Sequence, residues 1–279
     1  MIQTLTIGYS PCPNDTFIFY ALIHDKVVVP GIMFRERLED VETLNQLALD
    51  GKLDITKISY HALGRLREHY ALLRSGGALG RGCGPLIVAR PGTDLSNIEG
   101  GVIAIPGRLT TAYLLLRLYN PRIAAVRVMP FDRIMDAVAN GEAIAGLIIH
   151  ESRFTYPRHN LVKLLDLGEW WEKHSGLPVP LGGILGKRSL NQEVLLEVEA
   201  GIRESLKYAT AHSDEVLEYC KQYSQEMDEN VMKCHIDLYV NDFSSDLGTE
   251  GLAAIQRLFT EAEAQGLFPH SDMPLLLQY

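Results

Sequence analysis

Along the first ninety residues the hydrophobic pattern switches repeatedly between two periods. LTIGYS (5–10) is a short apolar run with strand character, and PNDTFIFYALIHD (13–25) carries a helical run behind a polar first turn. IMFRERLE (32–39) alternates residue by residue, as a half-solvated strand does. VETLNQLALDGK (41–52) has helical spacing and is closed by Gly51, and LDITKIS (53–59) is a further strand. HALGRLREHYALL (61–73) is predicted to be helical, and a glycine-rich stretch, GGALGRGCG (76–84), leads into the buried strand PLIVAR (85–90), stopped by Pro91-Gly92.

The pattern then restarts. GVIAIPG (101–107), AAVRVMP (124–130) and AIAGLIIH (143–150) read as strands, separated by the helices LTTAYLLLRLY (109–119) and DRIMDAVANGE (132–142). EWWEKHSGLPVPLGGILGK (169–187) is rich in glycine and proline and contains another strand near Gly183 to Gly186. Beyond Ser189 the chain is mainly helical, with Asn191, Ser213 and Thr249 as predicted caps before 195–210, 214–224 and 250–265.

Two α/β series followed by a helical return predict an α/β protein of two lobes with a cleft between them. Residues 1–90 and 188–279 would form the first lobe and 91–187 the second, with hinge strands near 85–90 and 181–187. In such folds ligands sit where strand ends and helix starts face a crevice. Sorting the chain by that rule gathers Ser10, Asn14, Asp15 and Thr16 after the first strand, and Lys57 and Ser59 at the end of LDITKIS, with Tyr60 and His61 following. Arg108, Thr110 and Thr111 follow GVIAIPG, and His150 ends AIAGLII.

Composition narrows the partners. The net charge of −9 argues against a nucleic-acid binder, which needs concentrated positive charge. No apolar run is long enough to span a bilayer, and the first strand begins almost at Met1 with no export-signal pattern before it, so a cytoplasmic location is expected. A small carboxylate is the expected partner, and a homodimer is compatible with the sequence. Cys12, Cys83, Cys220 and Cys234 are scattered; Cys234-His235 beside Cys220 matches no metal spacing, and no metal or cofactor motif is present.

Among nine histidines, His150 stands out: a buried apolar strand ends by presenting an imidazole whose ordinary pKa near 6.5 suits proton transfer. The Gly107 turn feeds a helix start at Thr110-Thr111, where unpartnered N–H groups could hold an anion, although an ordinary N-cap has the same appearance. Cys12 lies between two prolines with no base placed beside it, which makes it a bystander rather than a nucleophile.

SPCPNDTFIF (10–19), DITKISYHAL (54–63), GRGCGPLIVAR (80–90), GRLTTAYLLLRL (107–118), GLIIHESRFTY (146–156) and VNDFSSDLGTEGLAAI (240–255) together resemble the 1,4-dihydroxy-6-naphthoate synthase family of the futalosine route to menaquinone. The resemblance spans nearly the whole chain. It implies a fold like type II periplasmic binding proteins, used as a carbon–carbon lyase with no metal or organic cofactor. The family's substrate is cyclic dehypoxanthinylfutalosine, cleaved to 1,4-dihydroxy-6-naphthoate and dihydroxyacetone. Carried over by motif, His150 corresponds to the proton acceptor, and Lys57 to Ser59 and the helix start at either Thr110-Thr111 or Thr111-Ala112 to substrate contacts. Two other readings share the fold: chorismate dehydratase of the same pathway, and a non-catalytic solute-binding protein.

Overall fold

A computed structural model describes residues 2–123, 125–224 and 228–277. In chain order the elements are β1 (Gln3–Tyr9), α1 (Pro13–Ile23), β2 (Ile32–Leu38), α2 (Val41–Leu49), β3 (Ile55–Ser59), α3 (Tyr60–Leu66), β4 (Tyr70–Leu72), β5 (Ala78–Gly80) and β6 (Leu86–Ala89). There follow β7 (Ile103–Ile105), α4 (Thr111–Tyr119), β8 (Val126–Val128), α5 (Ile134–Ala139), β9 (Ala145–Ile148), α6 (Ser152–Thr155), β10 (Val162–Asp166), α7 (Leu167–Ser175) and β11 (Val179–Lys187). The chain ends in five helices, α8 (Gln192–Ala211), α9 (Ser213–Tyr223), α10 (Glu229–Tyr239), α11 (Asp242–Ser245) and α12 (Gly248–Ala264).

The strands form two sheets. One has the order β2-β1-β3-β11-β4, with β5 also paired to β11; the other has the order β10-β6-β9-β7-β8. Within the first, β1 runs parallel to β2 and β3, and β11 returns antiparallel to β3. In the second, β7 is parallel to β8 and β9. Strand β6, expected as a hinge, lies inside the second sheet, and β11, expected to end the second lobe, lies inside the first. The chain therefore passes between sheets at 81–85 and 167–178. There Gly84 and Gly168 meet so closely that a Cβ on Gly84 would lie 2.2 Å from the Gly168 Cα.

Helices cover both faces. Leu195, Val198, Ile202 and Leu206 of α8 pack with Ile18 and Phe19 of α1 on Leu5 and Ile7 of β1. A larger apolar cluster joins the sheets, running from Ile58 and Leu63 through Leu114 and Leu115 to Ile87, Leu147 and Trp171. This cluster spans the facing edges of the two sheets, where the cleft lies.

Several predicted elements end differently. The helix predicted over 61–73 stops at Leu66, because its last residues are drawn into β4 beside β11. Ala78–Gly80, within the predicted glycine-rich link, also pairs with β11. Asn191 caps α8 by accepting the Glu193 N–H. Ser213 and Thr249 instead lie inside their helices, behind His212 and Leu247 at the N-cap positions. Ala124 of the predicted strand 124–130 lies outside the described residues. The helix α7 and the strand β10 have no counterpart in the predicted pattern, and α10 lies in the stretch predicted only as mainly helical.

Candidate functional site

Four strand ends converge on one cleft between the sheets. Ser10, Asn14 and Asp15 line it from the β1–α1 turn, Lys57, Ile58 and Ser59 from the end of β3, Thr110, Thr111 and Ala112 from the start of α4, and His150 from beyond β9. Thr16 instead turns back into α1, its hydroxyl donating to the Cys12 and Pro13 carbonyls, and Arg108 does not line the cleft. Val41, Leu44, Ala78, Pro85, Ile149 and Leu181 make the remaining wall largely apolar, the usual character of a small-molecule site. Trp170, Trp171 and Tyr156 do not line it; Trp171 is a core residue whose indole donates to the Pro178 carbonyl.

The proline-flanked turn at 10–13 has a structural reason. Pro11 and Pro13 hold the backbone extended into Cys12, and α1 then starts at Pro13, whose missing N–H needs no partner in the first turn. Asp15, only 3% exposed, collects donors from every side. It accepts from Ser10 Oγ at 2.7 Å, Ser10 N at 3.2 Å, Asn14 Nδ2 at 2.8 Å and Lys57 Nζ at 2.8 Å. Lys57 also donates to the Gly76 carbonyl at 3.1 Å. A buried carboxylate and ammonium are tolerable only with this degree of pairing, and the pair ties β3 to α1.

The start of α4 is committed largely to holding the lobes together. Thr110 Oγ1 accepts the Tyr113 N–H at 3.2 Å and donates to the Gly107 carbonyl at 2.9 Å. Thr111 Oγ1 accepts the Tyr60 N–H at 2.9 Å and donates to the Leu181 carbonyl at 2.5 Å. Glu42 of α2 reaches across to accept the N–H groups of Arg108 and Leu109, each at 3.1 Å. Burial raises the Glu42 carboxyl pKa, against the pull of those bonds. Hydrogen-bond accounting thus leaves the Thr111 and Ala112 amides, which as first helical residues have no intrahelical acceptor, as the donors at this end of the cleft. Ser59 is held from behind, its N–H donating to Asn45 Oδ1 at 3.0 Å and its oxygen accepting from Asn45 Nδ2 at 3.3 Å. The Ser59 hydroxyl proton remains for the cleft.

His150 leaves β9 with φ at +56°, in the left-handed region. This conformation costs an L-residue ~1 kcal/mol, and histidine is among the residues that adopt it more readily. The turn has a consequence that strand alternation does not predict: His150 and its neighbour Glu151 point to the same side, and their ligand atoms and the Cys12 sulfur all lie within 4.8 Å of one another. The imidazole is half-buried, with its ring edge-on to Phe131 at 5.1 Å between centroids. Desolvation pushes its pKa down to about 4, with Asp15 and Asp40 opposing the shift and Lys57 adding to it. His150 is therefore a neutral base across the neutral range. Burial drives the Cys12 thiol pKa well up, so it stays protonated.

Helix α10 adds two residues that pattern reading passed over. Tyr239 lines the cleft and donates to the Cys83 carbonyl at 3.2 Å. One turn earlier, His235 is 0% exposed, with Nε2 2.9 Å from Asn14 Oδ1. Because Asn14 Nδ2 faces Asp15, its oxygen must face His235, so Nε2 carries the proton. The signal available in the sequence was the spacing of Val231, Met232, His235, Ile236 and Tyr239 on one helical face, all of them buried.

The sequence as a whole matches a family model described as menaquinone biosynthesis over residues 5–264. The chain belongs to that family. It is 52% identical over 276 residues to a 1,4-dihydroxy-6-naphthoate synthase of Thermus thermophilus, covering 99% of this chain and 100% of the relative. Identity to the enzyme of that name from Streptomyces coelicolor is 45% over 273 residues, covering 96% and 95%. A solved structure from Archaeoglobus fulgidus agrees with a TM-score of 0.90 at 38% identity, over 95% of this chain and 98% of that one. The alkanesulfonate-binding protein of Xanthomonas axonopodis agrees at 0.73 with 14% identity, over 96% and 94%. Likeness at that identity is one of fold, and the fold is that of the two-lobed periplasmic binding proteins.

Proposed function

We propose that this chain is a 1,4-dihydroxy-6-naphthoate synthase, a carbon–carbon lyase that converts cyclic dehypoxanthinylfutalosine to 1,4-dihydroxy-6-naphthoate and dihydroxyacetone. The observation that carries the reading is a neutral imidazole, His150, held at a largely apolar cleft in a chain 52% identical to an enzyme of that name. A base kept neutral by desolvation accepts a proton without first having to lose one.

In this reading His150 removes a proton from a hydroxyl of the sugar-derived part of the substrate. The electron pair left on oxygen forms a carbonyl as the adjacent carbon–carbon bond breaks in retro-aldol fashion. The pair of the broken bond passes to the ring fragment as an enolate, which takes up a proton as the ring aromatises, and His150 returns its own proton to solvent or product. The Ser59 hydroxyl and the Thr111 and Ala112 amides bind the substrate carboxylate at the positive end of α4. Support for this division of labour comes from the hydrogen bonds that already occupy Thr110 Oγ1 and Thr111 Oγ1. Lys57, Asp15, Asn14 and Ser10 form the floor beneath, and their mutual bonds fix its shape. Val41, Leu44 and Leu181 enclose the fused ring.

The test is incubation of wild type and His150→Ala with cyclic dehypoxanthinylfutalosine, following the naphthoate by absorbance and mass. Wild-type conversion with a ~10²–10⁴-fold slower variant of unchanged fold is the expected result. Substrate recovered intact from the wild-type protein would overturn the reading.

A further inference from the structure

Cys12, His150, Glu151 and His235 come from three distant parts of the chain, so no spacing motif could reveal them together. The structure gathers the Cys12 sulfur, a His150 ring nitrogen and a Glu151 carboxylate oxygen within 4.8 Å of one another. His235 approaches from behind, its Nδ1 4.0 Å from Glu151 Oε2. Because the His235 proton is on Nε2, committed to Asn14, Nδ1 presents a lone pair toward a carboxylate oxygen. Among the described residues that buried nitrogen has no hydrogen-bond partner. A buried imidazole lone pair with no donor is stabilised by something positive in its reach.

We propose that Cys12, His150 and Glu151 form a binding site for a borderline-soft divalent cation of the zinc class, with His235 behind Glu151 as its fourth ligand or as the partner that orients the carboxylate.

The donor set fits this class of ion. One thiolate and one carboxylate balance a divalent charge, and neutral imidazole is the commonest complement to them. Tetrahedral zinc with ordinary bond lengths separates its ligand atoms by roughly 3.3–3.7 Å. The observed separations of up to 4.8 Å therefore need only a modest inward turn of the side chains. Binding displaces the thiol proton to solvent as the metal–sulfur bond forms, and both imidazoles enter already neutral. Hard cations such as Mg²⁺ prefer oxygen ligands and are excluded by this set.

Occupation has a functional corollary, which rests on the proposed role of His150. A cation holding that ring nitrogen removes the base, so the ion acts as an inhibitor and not as a cofactor.

Binding is read first, independently of turnover, by titrating the full-length protein with Co²⁺ in thiol-free buffer. One equivalent should bind and develop a thiolate-to-cobalt absorption band, which disappears in Cys12→Ser and persists in Cys234→Ser, the exposed-thiol control. Cys12→Ala serves as a second variant should serine disturb the buried turn. His235→Gln should weaken Co²⁺ by ~10–100-fold, the usual cost of losing an outer partner. In the turnover assay Zn²⁺, and not Mg²⁺, should inhibit wild type, and Cys12→Ser should keep basal turnover while needing more than ~100-fold more Zn²⁺. A cobalt band that follows Cys234, or equal Co²⁺ affinity in wild type and both Cys12 variants, would overturn the site. If no protein turns over the substrate, the functional reading fails and the cobalt titration still decides this one.

Discussion

Replacing Lys57 by methionine tests whether the floor of the cleft is held by charge pairing. The Lys57 and Asp15 side chains are 7% and 4% exposed, and Nζ lies 2.8 Å from Oδ1. Removing one partner of a buried pair costs ~3–5 kcal/mol, most of it the desolvation of the charge left behind. Asp15 keeps three donors, Ser10 N, Ser10 Oγ and Asn14 Nδ2, which places the loss near the lower end. The Gly76 carbonyl also loses its donor, adding ~1 kcal/mol. Lys57→Met should therefore lower stability by about 4 kcal/mol, a large share of the ~5–15 kcal/mol of a typical domain. Combining it with Asp15→Asn removes both charges and should recover at least ~2 kcal/mol of that loss. Urea unfolding followed by circular dichroism measures both, provided the slope with denaturant is unchanged. A loss under ~1 kcal/mol in the single variant, or a double variant no more stable than the single, would refute the assignment of Lys57 and Asp15 as a mutually dependent pair.

Acid should destabilise the fold through its buried histidines. His61 and His150 are both held down to about 4 by burial, whereas an unfolded histidine titrates near 6.5. Between those values the unfolded chain takes up protons that the folded one refuses, so stability falls as pH drops through 6.5 and levels off below about 4. The loss from pH 7 to pH 5 should be roughly 4 kcal/mol for the pair, with half-buried His150 giving the smaller share, and His61→Gln should flatten it measurably. The acid limb of kcat/KM should lie near pH 4 to 5 in wild type; a limb at the ordinary histidine value would contradict a desolvated His150. Glu42→Gln leaves one acceptor where two N–H groups converge, and should cost ~1–2 kcal/mol in urea melts and raise KM as the lobes lose their clasp. Gly84→Ala forces a Cβ to 2.2 Å from the Gly168 backbone and should cost more than ~3 kcal/mol, whereas Gly92→Ala, with open space around it, should show only the strain of its positive φ.

Much of the site was legible because strand ends and helix starts announce themselves locally. LTIGYS, LDITKIS and AIAGLII are apolar runs of strand length, so the polar residues that follow them fall at the cleft edge whatever else the chain does. Helix α1 could be placed from Pro13 and its acidic first turn alone. The lobe crossings were harder, since PLIVAR and LGGILGK differ little from other buried strands, and only pairing with Ile148 or with Lys57 says which sheet each joins. The ambiguity of REHYALL, at the end of 61–73, has the same origin: a short apolar run fits helix or strand, and its neighbour β11 decided.

The sequence by itself determined the period of each segment, the lack of an apolar run long enough for a membrane helix, and the place of His150 at the end of an apolar strand. Tertiary structure decided what those residues are free to do. It occupied both threonine hydroxyls at the start of α4, Thr110 with Gly107 and Tyr113 and Thr111 with Tyr60 and Leu181, and left the backbone amides. It turned Glu151 to the side of His150 through one left-handed residue, and brought His235 from more than eighty residues away to face them. Local pattern fixes the identity and direction of a strand end. Desolvation, shared hydrogen bonds and the meeting of Cys12, His150, Glu151 and His235 exist only once distant segments pack.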